Sequence, residues 1–179
     1  MDLLLELEQR ARKDGIPAVS HATGRLLSTL VHAMQAHRIL ELGTGYGYST
    51  LCMALAQPPV GKIWTVDFDI ARTIVARSYF ERADEAESIE ILNQPALEVV
   101  ENFPTHNLDI VFIDADRAEY SAYLEACLPL LKLSGLLIAH GLIGEPRLGN
   151  FNEAFVHHPQ LDAIILQHGD GTGLGARIR

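Results

Sequence analysis

From Arg38 to Ala139 the sequence keeps one rhythm, in which short apolar runs alternate with amphipathic stretches. RILEL, KIWTV, SIEIL, LDIVFID and GLLIA are the short runs; YSTLCMALA, DIARTIVARSYF, ALEVVENF and RAEYSAYLEACLPLL are the stretches between them. That alternation predicts repeated βα units around a parallel sheet. The runs VFI and LLIA do not alternate with polar residues, which predicts central strands covered by helices on both faces. After His140 the rhythm breaks into a loop with Gly144 and Pro146, a helix near 147–157, the run LDAIILQ, the turn His168-Gly169-Asp170-Gly171, and TGLGARI. Two strands joined by so tight a turn are antiparallel neighbours. The expectation is five parallel strands plus a C-terminal hairpin that sends one antiparallel strand into the sheet. Ahead of the sheet, helices are expected over about 2–14 and 21–35, separated by Gly15-Ile16-Pro17, with Ser20 as N-cap of the second. No repeat, low-complexity tract or linker interrupts the chain. It reads as a single domain over 1–179, with N-terminal helices in 1–36 and an α/β core in 37–179.

Composition narrows the function classes. Hydrophobic residues make up 48% and charged residues 21% of 179 residues, and mean hydropathy is +0.11, which excludes disorder and predicts a packed globule. No apolar run approaches the roughly 20 residues of a membrane-spanning helix, and the start MDLLLELEQRARKD mixes acids among its leucines, so neither anchor nor signal peptide is expected. Cys52 and Cys127 sit singly without CxxC spacing, which predicts buried free thiols and a reducing, cytoplasmic setting. The net charge of −9 is concentrated between residues 67 and 125, where fourteen acids face four arginines. No cluster of Lys and Arg exceeds the short group Arg10, Arg12 and Lys13, which argues against nucleic acid as a partner. His21, His32, His37, His106, His157, His158 and His168 share no metal-ligand spacing.

One motif carries chemistry. Glu41-Leu42-Gly43-Thr44-Gly45-Tyr46-Gly47 follows the first strand and precedes a helix, the context in which a glycine-rich turn brings backbone N–H groups close to a nucleotide. Tyr48 stands where the dinucleotide fingerprint needs its third small residue, which disfavours NAD and FAD. Asp67 ends the second strand, 24 residues beyond Gly43, where a carboxylate accepts from both hydroxyls of a ribose; Asp69 competes with it for the N-cap of the next helix. Glu41, at the end of the first strand, suits a cationic amine better than a phosphate. An amino-acid nucleoside fits both acids.

In these residues the sequence resembles the class I S-adenosylmethionine (SAM) dependent O-methyltransferases, in the branch of caffeoyl-CoA, catechol and small bacterial O-methyltransferases. GIPAVS, ILELGTGYGYSTLCMA, WTVDFD, Pro95-Ala96-Leu97-Glu98, DIVFIDADRAEYSAYLEACLPLLKLSG and the GDG hairpin carry the likeness over nearly the whole chain. The resemblance implies a Rossmann-like, seven-stranded, mostly parallel sheet with an antiparallel C-terminal strand and helices on both faces. It also implies that Val19 and Glu41 contact the methionyl end of SAM, that Gly43, Thr44, Gly45, Gly47 and Ser49 line the pocket, that Asp67 holds the ribose, that Ala96 offers its backbone to adenine, and that Asp114 stands by the reacting centre. Gln94 replaces a glycine common in the family.

The acceptor side departs from the pattern. The family's divalent cation is held by the first Asp of Asp-Ala-Asp-Lys and by an Asp-Asn pair after the fifth strand; here the motifs read Asp114-Ala115-Asp116-Arg117 and His140-Gly141. One of three ligands survives, so no metal site of the usual kind is expected, and Arg117 stays protonated where a lysine base would stand. The expected function is O-methylation of a small, hydroxylated, catechol-like acceptor, with His140 as general base, Asp114 and Arg117 beside it, and Asp116 and Tyr123 toward the acceptor. Other readings stay open: His140 and Asp114 as ligands of a softer metal, His140 as a strand-end residue bonded to backbone, and Tyr123 as helix packing. So do a SAM-binding relative without transfer and a tRNA hydroxyuridine methyltransferase. A homodimer is the expected assembly.

Overall fold

The computed structural model describes residues 3–179 and contains seven α-helices and seven strands among them. The chain divides into two compact units, Met1–His37 with Thr44–Pro95, and Arg38–Gly43 with Ala96–Arg179.

The first unit holds α1 (Leu3–Asp14), α2 (His21–Met34), α3 (Tyr48–Ala54), β2 (Lys62–Val66), α4 (Ile70–Arg82) and β3 (Ile89–Leu92). Its helices start where the side chains dictate. Ser20 Oγ accepts the Thr23 N–H at 3.2 Å, and Asp69 Oδ1 accepts those of Ala71 and Arg72 at 3.0 and 3.4 Å. The cap of α4 is therefore Asp69, and Asp67 is left for other work. Helices α2 and α3 approach closely at Gly24, where a methyl group would lie 2.9 Å from Cys52 Sγ and 3.0 Å from the Tyr48 ring. Leu27 and Val31 on α2 are buried, while Met34 is half-buried. Strands β2 and β3 pair in parallel, Ile63 opposite Ile89.

The second unit holds β1 (Arg38–Leu42), α5 (Ala96–Glu101), β4 (Leu108–Ile113), α6 (Tyr120–Cys127), β5 (Leu131–His140), α7 (Gly149–Val156), β6 (Leu161–Leu166) and β7 (Thr172–Arg177). Every residue of β4 is buried, as its unbroken apolar run predicts. Strand β4 pairs in parallel with β1 on one side and β5 on the other, whereas β7 runs antiparallel to both β5 and β6. The hairpin thus inserts its second strand beside β5. The strand order is β3-β2-β1-β4-β5-β7-β6, a seven-stranded Rossmann-like sheet. One boundary differs from expectation: β5 begins at Leu131, four residues before GLLIA, and crosses a register irregularity against β4 with Ser134 at φ 63°. Lys132-Leu133-Ser134-Gly135 has turn chemistry, yet it is accommodated as a bulge within the strand. Cys52 and Cys127 are buried free thiols, and burial pushes the Cys127 thiol pKa up.

Candidate functional site

In the first unit the glycine turn is organised around Asp67. Gly45 donates its N–H to Asp67 Oδ2 at 2.8 Å, and Asp69 donates its N–H to Oδ1 at 2.9 Å. Each oxygen keeps a further lone pair, because a carboxylate has about four acceptor positions. The turn's N–H therefore meets a carboxylate where a phosphate-binding loop would meet phosphate, and a carboxylate repels phosphate but accepts from a diol. Asn93 holds the end of β2 by donating to the Asp67 carbonyl at 2.9 Å, while its other contact is Thr73 Oγ1 at 2.8 Å. Thr44 is buried, with its N–H on the Val66 carbonyl at 3.2 Å and its hydroxyl 2.7 Å from that of Thr65. The closest approach is at Gly47, φ 85°, where a methyl group would come 2.6 Å from two atoms of the Phe80 ring. Only glycine fits this position. Ser49 and Val19 are buried, Tyr48 and its α3 neighbours form core, and Gln94 is exposed.

In the second unit Glu41 is 0% exposed on β1, opposite Phe112 of β4. Beside it, Gly43 at φ 101° lies so close to the end of β4 that a methyl group would sit 2.8 Å from the Asp114 carbonyl carbon. Asp114 follows β4 and donates its N–H to the Leu42 carbonyl at 2.8 Å. Burial of its carboxyl pushes the pKa up and Asp170 adds to this, while His140 and Arg117 pull it down. These charges are thus gathered at the C-terminal ends of β4 and β5, the edge where α/β sheets bind ligands. His140 ends β5, is 5% exposed, and has Nδ1 3.3 Å from Thr172 Oγ1 on β7. Gly141 follows at φ 73° and donates to the Gly171 carbonyl at 2.9 Å, so the GDG turn closes back on this edge. Arg117 covers Gly141: a methyl group there would meet Nη2 and lie 3.1 Å from Cζ.

Asp116 caps a short 3-10 turn, accepting the Ala118 N–H at 2.9 Å. Tyr123 is 1% exposed and donates its hydroxyl to Glu119 Oε2 at 2.5 Å. Ala96 is half-buried at the first position of α5. Sequence reasoning passed over Tyr120, whose hydroxyl donates to the His140 carbonyl at 2.9 Å and reaches that of Ile113 at 3.4 Å, tying the ends of β4 and β5 together. Its spacing from Tyr123 was visible, but which of the two faces the strands depends on how α6 is seated. Thr65, Asn93, Thr172 and Asp170 were also missed; each meets residues distant along the chain, which no local pattern records.

A glycine turn bonded to an acid at the end of the next strand, within this strand order, defines a Rossmann-like nucleoside-binding protein. Comparison with known proteins narrows the class. The chain belongs to the O-methyltransferase family, whose model matches residues 2–178. It is 32% identical to a catechol O-methyltransferase of Mycobacterium tuberculosis over 84% of this chain and 74% of that one, and 30% identical to a catechol O-methyltransferase of Niastella koreensis over 93% and 83%. Among solved structures it superposes on the O-methyltransferase TomG from Streptomyces achromogenes in complex with SAM, with a TM-score of 0.90 and 26% identity over 100% of this chain and 91% of that one. An O-methyltransferase from Bacillus cereus in complex with SAH gives a TM-score of 0.87 and 28% identity over 99% and 91%.

Proposed function

We propose that this protein is a SAM-dependent O-methyltransferase acting on a small hydroxylated acceptor, with a catechol-like ring as the first candidate. The observation that carries the reading is the Asp67 carboxylate, fixed by the Gly45 and Asp69 N–H groups with lone pairs left over for a ribose diol. Family membership agrees with it. Glu41, wholly buried at the end of β1, is the counter-charge for the methionyl ammonium. Val19, Gly43, Thr44, Gly47 and Ser49 shape the surroundings of that part of the cofactor, and Ala96 meets adenine through its backbone. SAM held by these residues would supply an electrophilic methyl for the acceptor oxygen and would leave as SAH. The chain's own task is alignment and removal of one proton.

His140 is the base that takes this proton. With Nδ1–H donated to Thr172 Oγ1, its Nε2 lone pair is left to accept. Asp114 stands at the same strand ends, and Tyr120 holds the strand end on which His140 sits. Asp116 and Tyr123 border the acceptor end. The donors at this edge suit a magnesium site poorly, since Gly141 has no side chain and the Arg117 guanidinium fills the space above it. Methyl transfer is therefore proposed to run without that ion. The reading extends to one functional domain over the whole chain, working as a homodimer in the cytoplasm; light scattering checks the dimer and fractionation of cells checks the compartment.

The test is calorimetric titration with SAH, followed by SAM turnover with catechol, each with and without EDTA. Micromolar SAH binding and EDTA-insensitive methylation are expected. Absence of SAH binding overturns the cofactor, and activity lost in EDTA overturns the metal-free reading.

A further inference from the structure

Arginines in this chain are mostly engaged. Arg147 lays a two-point fork on Glu145, Nε to Oε1 and Nη2 to Oε2, both at 2.8 Å. Arg82 does the same to Glu6 with both bonds at 2.7 Å, and Arg177 donates to main-chain carbonyls. Among the described half-buried arginines, Arg72 pairs with Asp69, whereas Arg117 makes neither a hydrogen bond nor an ion pair. The residue is half-buried, yet none of its nitrogens is among the buried orphaned atoms, so its five N–H donors stay open to a guest.

The fold holds it there. Gly141 has no side chain, and the guanidinium occupies the vacated space, with Cζ 3.1 Å and Nε 3.3 Å from where a methyl group would stand. The charge is felt by Asp114 and Glu145, yet neither closes a bond to it, and Glu145 is already taken by Arg147. A planar fork is thus presented, unfilled, at the same strand ends as Asp114 and His140. A planar fork matches a carboxylate at two points; an ammonium in its place would be a point charge. The surroundings limit the charge of the guest. Asp114, Asp170 and Glu145 are all negative when ionised, so a monoanion gains from the guanidinium what a phosphate dianion would lose to repulsion.

We propose that Arg117 anchors the acceptor, its guanidinium over Gly141 receiving a carboxylate that the acceptor carries, so that the substrates are hydroxylated carboxylic acids. This rests on the methyl-transfer reading above for the role of the bound acid, but its test is one of binding. The protein is titrated by calorimetry with 3,4-dihydroxybenzoate and separately with catechol, each with and without saturating SAH, for the unaltered chain, Arg117→Gln and Arg117→Lys. The unaltered chain is expected to bind the acid at least about tenfold more tightly than catechol, the scale of a charge-assisted two-point bond. Arg117→Gln is expected to abolish that preference while holding catechol and SAH affinity within about twofold, and Arg117→Lys to keep only part of it. An acid that binds no more tightly than catechol, or not at all, overturns the proposal, as does Arg117→Gln retaining the preference. The first arm needs no variant, so a misfolded substitution leaves it decisive. Arg117-dependent binding of the acid without any SAH binding would sink the transferase reading and leave this one standing.

Discussion

The surroundings of Asp67 and the ends of β4 and β5 treat their polar groups in opposite ways. Around Asp67 the acid takes two backbone N–H groups, Thr44 is bonded through both N–H and hydroxyl, and Asn93 pins the strand end. At the ends of β4 and β5, Asp114 is held with a raised pKa, His140 has a single 3.3 Å contact for its ring, and Arg117 has no bonded partner. The first region is finished before any ligand arrives; the second is built of charges whose balance a ligand must complete. Preorganised backbone suits a cofactor shared by a whole family, whereas unbalanced side chains suit an acceptor particular to one member.

The sharpest way to separate the regions is to remove one side chain from each. His140→Ala is expected to lower turnover of catechol by about 100-fold or more, the usual worth of a positioned base, while leaving SAH affinity within about twofold. Equal loss of both would show that His140 merely supports the fold. Asp67→Ala is expected to do the reverse, weakening SAH by about 30-fold, or about 2 kcal/mol, the scale of hydrogen bonds to a charged group. Calorimetry reads both, and unchanged SAH binding in Asp67→Ala would remove the ribose from this site.

Around Asp67 the backbone was legible, though the partners Thr65 and Asn93 were not. The turn at 44–47, the strand at 62–66, and the caps Ser20 and Asp69 all follow from local pattern, because glycine, alternation and capping act over a few residues. In the unbalanced region the residues were named from the sequence but their contacts were not, for the opposite reason. Arg117 reads as a poor base in sequence, and nothing local says that it will lie over Gly141, 24 positions on. His140 and Thr172 are 32 residues apart and meet only through the β5–β7 register. The early start of β5 likewise depends on a bulge against β4 that Lys132 to Gly135 do not announce.

Tyr120 tests how far the strand ends depend on one hydroxyl. Tyr120→Phe leaves the His140 carbonyl without its 2.9 Å donor in a buried setting, and about 1–2 kcal/mol of stability in urea titration is expected to go with it. Turnover should fall more than SAH affinity, since the bond holds the acceptor-side edge. A loss of SAH affinity with unchanged turnover would break the division between the regions.

The smallest effect sharpens the contrast within the second unit, where two acids have opposite shifts. Hydrogen bonds and attraction from Arg147 hold the Glu145 carboxyl down at about 2. Its contribution to stability is therefore present above the ordinary value of 4.5 and fades as pH falls toward 2. This pair is solvent-exposed, so salt should weaken the effect. Burial raises Asp114 instead, so the folded state favours the protonated acid, and ionising it costs stability as pH climbs above 3.8. Carboxyl NMR titration is expected to show Glu145 titrating near 2 and Asp114 above 3.8. Arg147→Ala should return Glu145 toward 4.5, and Arg117→Gln should push Asp114 higher still, because Arg117 is one of the charges now holding it down. An Asp114 midpoint that ignores Arg117→Gln would mean that the guanidinium over Gly141 faces away from the carboxyl, and the anchor for an acidic acceptor would lose its place beside the reacting groups.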